Sequence, residues 1–302
     1  MTDGTVSHGA DDAATVAFAG ARRQLFGIAY RILGSAAEAE DVVQDVWIRW
    51  QGADRSAIVD PTAFLVTTAT RVAINVAHSA RKRRETYIGP WLPEPLDTAH
   101  DPERGLAQTK ELGLAVLVLL EKLTPTERAA YVLREAFDYT YESIADILSL
   151  KEPTVRQHVT RARKHLAEER RAPVPAADQK RLLEAFIAAA QRGDRATLER
   201  LFAADVASVA DGGGAAKMAA RAPVVGRERV AHFIASFANL FWVGAEVTWA
   251  EANGEPAALV ARDGRLAALA TVDASADGIE RIYWVMNPEK LRAWEAATAS
   301  PL

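Results

Sequence analysis

The sequence predicts two all-helical domains followed by an α+β domain built on a meandering antiparallel sheet, and three observations lead there. Apolar residues recur at helical spacing from about Ala14 to Arg84 and again from near Glu103 to Arg171. Prolines between Thr86 and Pro102, and again at Pro173 and Pro175, interrupt every candidate helix. Beyond them, Asn253-Gly254, Asp263-Gly264 and Asp277-Gly278 punctuate short strands that carry Val247, Trp249, Leu259, Val260, Leu269, Val272, Ile282 and Trp284. The implied boundaries are 14–85, a linker at 86–102, 103–171 and 177–295.

In the first domain Leu25, Ile28, Ala29, Ile32 and Leu33 keep helical spacing until Gly34 ends the run. Ser35 and Glu38 form an S-x-x-E cap for a second helix, whose Val43, Val46, Trp47 and Trp50 face inward while Asp41, Gln44 and Asp45 lie outside the stripe. After Asp60-Pro61 a third helix, about Thr62 to Arg84, buries Leu65, Val66, Ala69, Val72, Ala73 and Val76. It leaves Arg71, Asn75 and the block Arg81-Lys82-Arg83-Arg84 polar. The linker places Trp91, Leu92, Pro93 and Leu96 among prolines, an apolar set that wants a partner surface.

In the second domain Thr124-Pro125-Thr126-Glu127 specifies a helix start. A helix-turn-helix then runs from about Tyr141 to Leu166. Ile144, Ala145 and Leu148 face inward, the turn is Ser149 to Glu152, and Val155, Val159, Ala162 and Leu166 share the buried stripe of the second helix. Its opposite face holds Gln157, Thr160, Arg161 and Lys164, flanked by Arg156 and Arg163. Arg and Gln make paired hydrogen bonds to purine edges, and Lys and Thr hold phosphates. The competing reading is an ordinary solvated basic face.

Composition agrees with a soluble multidomain protein: 302 residues, 49% hydrophobic and 25% charged, with no apolar run of membrane-spanning length. The polar start lacks the pattern of a signal peptide, so a cytoplasmic location is expected. With no cysteine, the chain has no disulfide, thiolate zinc site or thiol switch. A net charge of −4 looks wrong for a nucleic-acid binder, but the basic residues gather in two blocks, 81–84 and 156–164, on an acidic body. Neither a cofactor nor a metal is expected, and no catalytic residue is assigned.

Residues 18–166 resemble bacterial sigma factors of the extracytoplasmic-function type. Ala39-Glu40-Asp41-Val42-Val43-Gln44-Asp45-Val46-Trp47 is similar to that family's docking motif for the clamp helices of RNA polymerase. The resemblance thereby assigns Asp41, Gln44, Asp45 and Trp47 to polymerase, with the polymerase flap as a further contact. Leu123-Thr124-Pro125-Thr126-Glu127-Arg128 and the stretch 154–164 resemble the upstream-promoter module, which assigns Arg156, Gln157, Thr160, Arg161, Arg163 and Lys164 to the upstream element. Arg71, Asn75, Arg81, Lys82, Arg83 and Arg84 would follow the strands of the downstream element. There the loop 52–61 would trap a flipped base, with Phe64 serving either that trap or the core. Ser149 departs from the family's turn glycine, which implies a strained turn.

Tyr87-Ile88-Gly89-Pro90-Trp91-Leu92-Pro93-Glu94-Pro95-Leu96 resembles the linker signature of a sigma subgroup with a fused SnoaL-like domain. Asp211-Gly212-Gly213-Gly214 and Asn287-Pro288-Glu289-Lys290-Leu291 resemble its two other signatures. The implied third fold is a cone of helices on a curved antiparallel sheet, like nuclear transport factor two. The implied function is regulation in cis, through Trp91, Leu92, Pro93 and Leu96 meeting Asp211, Gly212, Gly213, Asn287, Pro288 and Lys290. A small-molecule ligand of that domain is compatible with the resemblance. Two readings compete: a ligand-responsive regulator binding operators as a dimer, and a cyclase or isomerase using His232, Asp211 or Asp273 as a base.

Overall fold

The computed structural model describes residues 5–99, 113–169 and 171–298 and divides the chain into two compact units. Among the described residues, the first comprises 5–83 and 119–166, the second 84–99, 113–118, 167–169 and 171–298. The start of the second helical region near Glu103 and the linker's end at Pro102 lie outside the described residues. Among the described residues, no helix is long and apolar enough to cross a membrane.

The first unit is helical. Helix α1 (Thr5–Leu33) buries Leu25, Ile28, Ala29, Ile32 and Leu33 completely and stops at Gly34, whose φ of 68° suits a residue without Cβ. Ser35 caps α2 (Ala36–Gln51) by accepting from the Glu38 amide at 3.3 Å, and the Trp50 indole donates back to the Ala14 carbonyl at 2.9 Å. Helix α3 (Pro61–Arg84) begins one residue before Thr62, because Pro61 fits a first turn and the Asp60 carboxylate accepts from Ala63. Phe64 packs half-buried on Trp50 with ring centroids 5.7 Å apart, a core contact.

Helix α4 (Leu114–Leu120) starts within the residues of the second unit, and α5 (Pro125–Glu135) of the first unit is opened by a complete Thr124–Glu127 capping box. The helix-turn-helix is α6 (Tyr141–Leu148) and α7 (Glu152–Glu169). Val155, Val159, Ala162 and Leu166 form the buried stripe of α7 as the spacing predicts. On α6 the prediction needs correction: Ile147 is buried and Leu148 only half so. In a two-turn helix the Ile144/Ile147 step of three faces the neighbouring helix.

The second unit sets helices α8 (Ala176–Arg192), α9 (Arg195–Leu201) and α10 (Arg227–Ser236) on a curved sheet. Its strands are β1 (Phe202–Asp211), β2 (Val224–Val225), β3 (Ala245–Ala252), β4 (Glu255–Arg262), β5 (Arg265–Ser275) and β6 (Gly278–Val285), in the order β2-β1-β6-β5-β4-β3. Strands β3 to β6 are the antiparallel meander, with hairpin turns at 253–254 and 263–264 as expected, while the third lies at 276–277, one residue earlier than Asp277-Gly278, because Gly278 already pairs with Ser275. The sheet is nevertheless mixed, because β1 runs parallel to β6. That pairing brings together segments some seventy residues apart and leaves no local trace.

Alternation along the strands divides the apolar residues between two faces. Val260, Ala270, Val272, Ile282 and Trp284 join Phe186 and Ile234 in one core. Leu259, Leu269, Tyr283 and Val285 meet Leu92, Leu114 and the residues Leu291 and Trp294 of the last helix, α11 (Pro288–Thr298), in another. The proline-rich linker is thus part of a core and not a free connector.

Candidate functional site

Helix α2 turns Asp41, Gln44 and Asp45 to solvent, while Val42, Val43, Val46 and Trp50 are buried on the opposite side. Trp47 lies half-buried at the boundary, its ring 4.8 Å from Phe18, and Ile48 beside it is 59% exposed. An acidic patch edged by apolar side chains fits a protein partner better than nucleic acid.

On α7, Arg156, Gln157, Thr160, Arg161, Arg163 and Lys164 are all exposed, but three of the arginines already hold carboxylates. Arg156 pairs with Glu152 at 2.5 Å, Arg161 with Glu127 at 2.8 Å and Arg163 with Glu135 at 2.6 Å. Burial works to raise the pKa of Glu127. Its hydrogen bonds from Thr124 and from Arg161 prevail and hold the carboxyl below the usual carboxylate range. The basic face is therefore partly neutralised within the chain.

Asn75, Arg81, Lys82 and Arg83 of α3 are exposed and Arg84 is half-buried; Arg83 pairs with Glu38. Arg71 is engaged elsewhere. It donates to the Ile147 carbonyl at 2.8 Å, the Asp146 carbonyl at 3.2 Å and the Ser149 hydroxyl at 2.8 Å, satisfying orphan carbonyls at the end of α6. Arg128, 4% exposed, returns the arrangement by donating to the Ile32 carbonyl at the end of α1 at 2.5 Å, and Gln24 donates to the Tyr139 hydroxyl at 3.1 Å. These bonds clasp the first helical domain to the helix-turn-helix. Nothing in the periodicity of either segment indicates them.

In the second unit the three signature segments converge on Asp211, which is fully buried. Its carboxylate accepts from the Tyr87 hydroxyl at 2.5 Å, the Leu92 amide at 2.9 Å, the Gly213 amide at 3.1 Å and the Lys290 ammonium at 2.7 Å. Asn287 donates to the Tyr87 hydroxyl at 2.8 Å, and Lys290 also donates to the Leu92 carbonyl. Burial pushes the Tyr87 hydroxyl up, assisted by Asp211. Burial likewise draws the Lys290 ammonium down, which the Asp211 charge opposes. Gly213 has φ 57°, and a Cβ there would sit 2.5 Å from the Asn287 amide, so only glycine fits. Gly212 is buried, and Pro288 stays exposed while opening α11.

Leu92, Pro93 and Leu96 are buried as expected, but Trp91 is only half-buried. Two cations lie over its ring, the Arg84 guanidinium 3.4 Å from the centroid and the Lys290 ammonium at 4.2 Å. Further along, Leu96 and Asn253 exchange bonds of 2.9 Å, and the Trp294 indole donates to the Pro95 carbonyl at 3.0 Å. Asn253 and Trp294 are contacts that sequence reasoning missed, the first legible only as a turn residue and the second as an ordinary aromatic, whereas Tyr87 stood in the linker signature without a role of its own.

Among the described residues, the Asp211 carboxylate, a possible base, is taken up by four protein donors, and His232 is exposed; one cavity of this domain is lined by apolar residues and Ser208, and a second includes Lys217 and Arg221.

Comparison with known proteins finds two matching families and several full-length relatives. Residues 10–85 match the family described as Sigma-70 region 2, and residues 113–166 match Sigma-70, region 4. The chain is 35% identical over 301 residues to the ECF RNA polymerase sigma factor SigJ of Mycobacterium tuberculosis, covering 94% of this chain and 93% of that protein. It is 31% identical over 289 residues to the probable ECF RNA polymerase sigma factor SigI of Mycobacterium tuberculosis, covering 93% and 95%. The crystal structure of the Mycobacterium tuberculosis extracytoplasmic function sigma factor SigJ superposes with a TM-score of 0.74 at 30% identity, covering 94% of this chain and 98% of that one.

Proposed function

The chain belongs to the ECF RNA polymerase sigma factors, which bind core RNA polymerase and promoter DNA and start transcription without chemistry of their own; on that premise, we propose that its C-terminal domain controls initiation in cis. The observation that carries this reading is the convergence of Tyr87, Leu92, Gly213, Asn287 and Lys290 on and around Asp211. By gripping residues 87–96, the domain sets the path of the chain between the two promoter-reading modules. We assign the boundaries 14–85, 86–102, 103–171 and 177–295 to downstream module, linker, upstream module and regulatory domain, and place the working protein in the cytoplasm with polymerase.

Asp41, Gln44, Asp45 and Trp47 are the polymerase contacts in this reading, on the clamp helices, with the flap as a second contact for the upstream module. Arg156, Gln157, Thr160, Arg161, Arg163 and Lys164 serve the upstream element. Asn75 and the 81–84 block, together with Arg71 once it leaves α6, serve the downstream one. Supporting this, Arg71 and Arg128 hold the two modules together in the free chain, and a sigma factor must separate them to reach two promoter elements.

Run-off transcription with core polymerase tests cis control. Lys290→Met leaves the buried Asp211 charge unpaired, a loss of about 3–5 kcal/mol, and should release the linker to proteolysis while changing transcript yield at least fivefold. Released linker with unchanged yield would refute cis control; absence of any transcript from the wild-type chain on all promoters tried would undercut the assignment of its contact residues.

A further inference from the structure

Tyr141 is the first residue of α6, fixed there by the Thr140 cap, whose hydroxyl accepts from the Ser143 amide at 3.1 Å. Its half-buried ring carries two guanidinium groups, that of Arg156 on α7 at 4.3 Å from the centroid and that of Arg134 on α5 at 4.9 Å. Arg163 lies two turns after Arg156 on the same side of α7. Glu135 first, and the Tyr141 hydroxyl after it, push the Arg163 guanidinium up and keep it charged. All four residues belong to the first unit. Arg134 is committed to the fold, since it donates to the Tyr139 carbonyl at 2.8 Å. Arg156 is exposed and faces solvent with the rest of the basic face.

The ring contact leaves the hydrogen-bonding capacity of Arg156 intact. Glu152 takes its Nε and Nη2 groups through a single oxygen, at 2.9 and 2.5 Å. A carboxylate and a phosphate compete for these in-plane N–H groups, whereas an aromatic ring engages the guanidinium through its face and uses none of them. When a DNA phosphate draws Arg156 away from Glu152, the hold of the ring therefore survives the exchange. A long exposed side chain loses rotamer freedom when it binds, and one already ordered on a ring loses less. Leucine in place of Tyr141 would fill similar apolar space without offering that face, so packing alone and positioning lead to different outcomes.

We propose that Tyr141 is a positioning residue for upstream-promoter binding, its ring holding the Arg156 guanidinium in the orientation from which it takes a DNA phosphate. The inference rests on the reading of α7 as the helix that meets the upstream element. It concerns the first grip on the duplex, because a backbone contact upstream fixes register before the strands separate.

Abortive initiation by core polymerase loaded with the full chain separates the affinity of initial promoter binding from the rate of strand opening. On the promoter that gives the strongest wild-type transcript, Tyr141→Leu should lower the binding constant about threefold and leave the opening rate within about 1.5-fold, since an exposed cation–π contact is worth roughly two- to fivefold in an equilibrium. Tyr141→Phe retains the ring face and should bring binding back to within about 1.5-fold of the wild type. In an Arg156→Ala chain the leucine substitution should cost less than about 1.5-fold, because the cation it positions is gone. Equal losses from Tyr141→Leu with and without Arg156, a phenylalanine variant as weak as the leucine one, or an opening rate that falls with the binding constant would each overturn the proposal. If Arg156→Ala alone binds like the wild type, the promoter role of Arg156 falls and the proposal with it; if Arg156→Ala weakens binding and Tyr141→Leu does not, the positioning falls alone. Should Tyr141→Leu lose the urea transition of the wild type, Tyr141→Met takes its place with the same expected values.

Discussion

Ser149 holds a left-handed conformation, φ 55° and ψ 44°, at the end of α6, where glycine would be free of strain. A β-carbon there costs about 1 kcal/mol, and the hydroxyl offsets it by accepting from Arg71 at 2.8 Å. Relief of strain and loss of the bond should nearly cancel in Ser149→Gly, leaving stability in urea within about 1 kcal/mol of the wild type. Arg71→Met removes three hydrogen bonds at once and should cost about 1–2 kcal/mol, read from the same urea transitions. A larger loss in Ser149→Gly than in Arg71→Met would contradict the clasp. The arginine itself was legible as a polar residue on α3, but its partners lie more than seventy residues away in sequence.

Among the elements, α5 is the one most completely specified by local signals. Thr124 accepts from the Glu127 amide at 3.3 Å, Glu127 reaches back to the Thr124 amide at 3.2 Å, and Pro125 fills the first turn. Thr124→Ala should lower unfolding free energy by about 1 kcal/mol. The Glu127 carboxyl is depressed in the folded state, so its contribution is fully present above the ordinary carboxylate range. That contribution is lost as pH falls through the folded value. Urea titrations of Glu127→Gln and the wild type should therefore differ at neutral pH and converge in acid; a difference that persists there would contradict the sign. The strands behave differently: the Asn253-Gly254 and Asp263-Gly264 turns, with positive φ at both residues, announce their hairpins. By contrast β1 joins β6 only through a long-range parallel pairing.

For the whole molecule, a net charge of −4 and three arginines of α7 already paired with Glu152, Glu127 and Glu135 argue that the free chain grips DNA weakly. The two exposed pairs, Arg156 with Glu152 and Arg163 with Glu135, are worth about 0.2–1 kcal/mol each, small enough for phosphates to displace them once polymerase supplies the remaining affinity. Specific promoter binding should therefore require core polymerase. Glu135→Gln frees Arg163 and should strengthen non-specific DNA binding by the chain alone, with a salt dependence steeper by about one unit of log–log slope. Measured affinities between low and moderate salt check both statements, and an unchanged slope would place Arg163 away from the phosphates.

By itself the sequence determined what depends on residues within a turn or two of one another. The caps at Ser35 and Thr124, the α7 stripe, the exposed face of Asp41, Gln44 and Asp45, and the hairpin turns all follow from spacing and backbone preference. The convergence on Asp211, the contacts of Arg84 and Lys290 with the Trp91 ring, and the capture of Arg71 by the end of α6 were decided only by tertiary structure. Each joins distant segments through buried charge and orphaned backbone groups. The need of such groups for a partner is written locally, but the identity of the partner is set by which surfaces the packed core brings within hydrogen-bond reach.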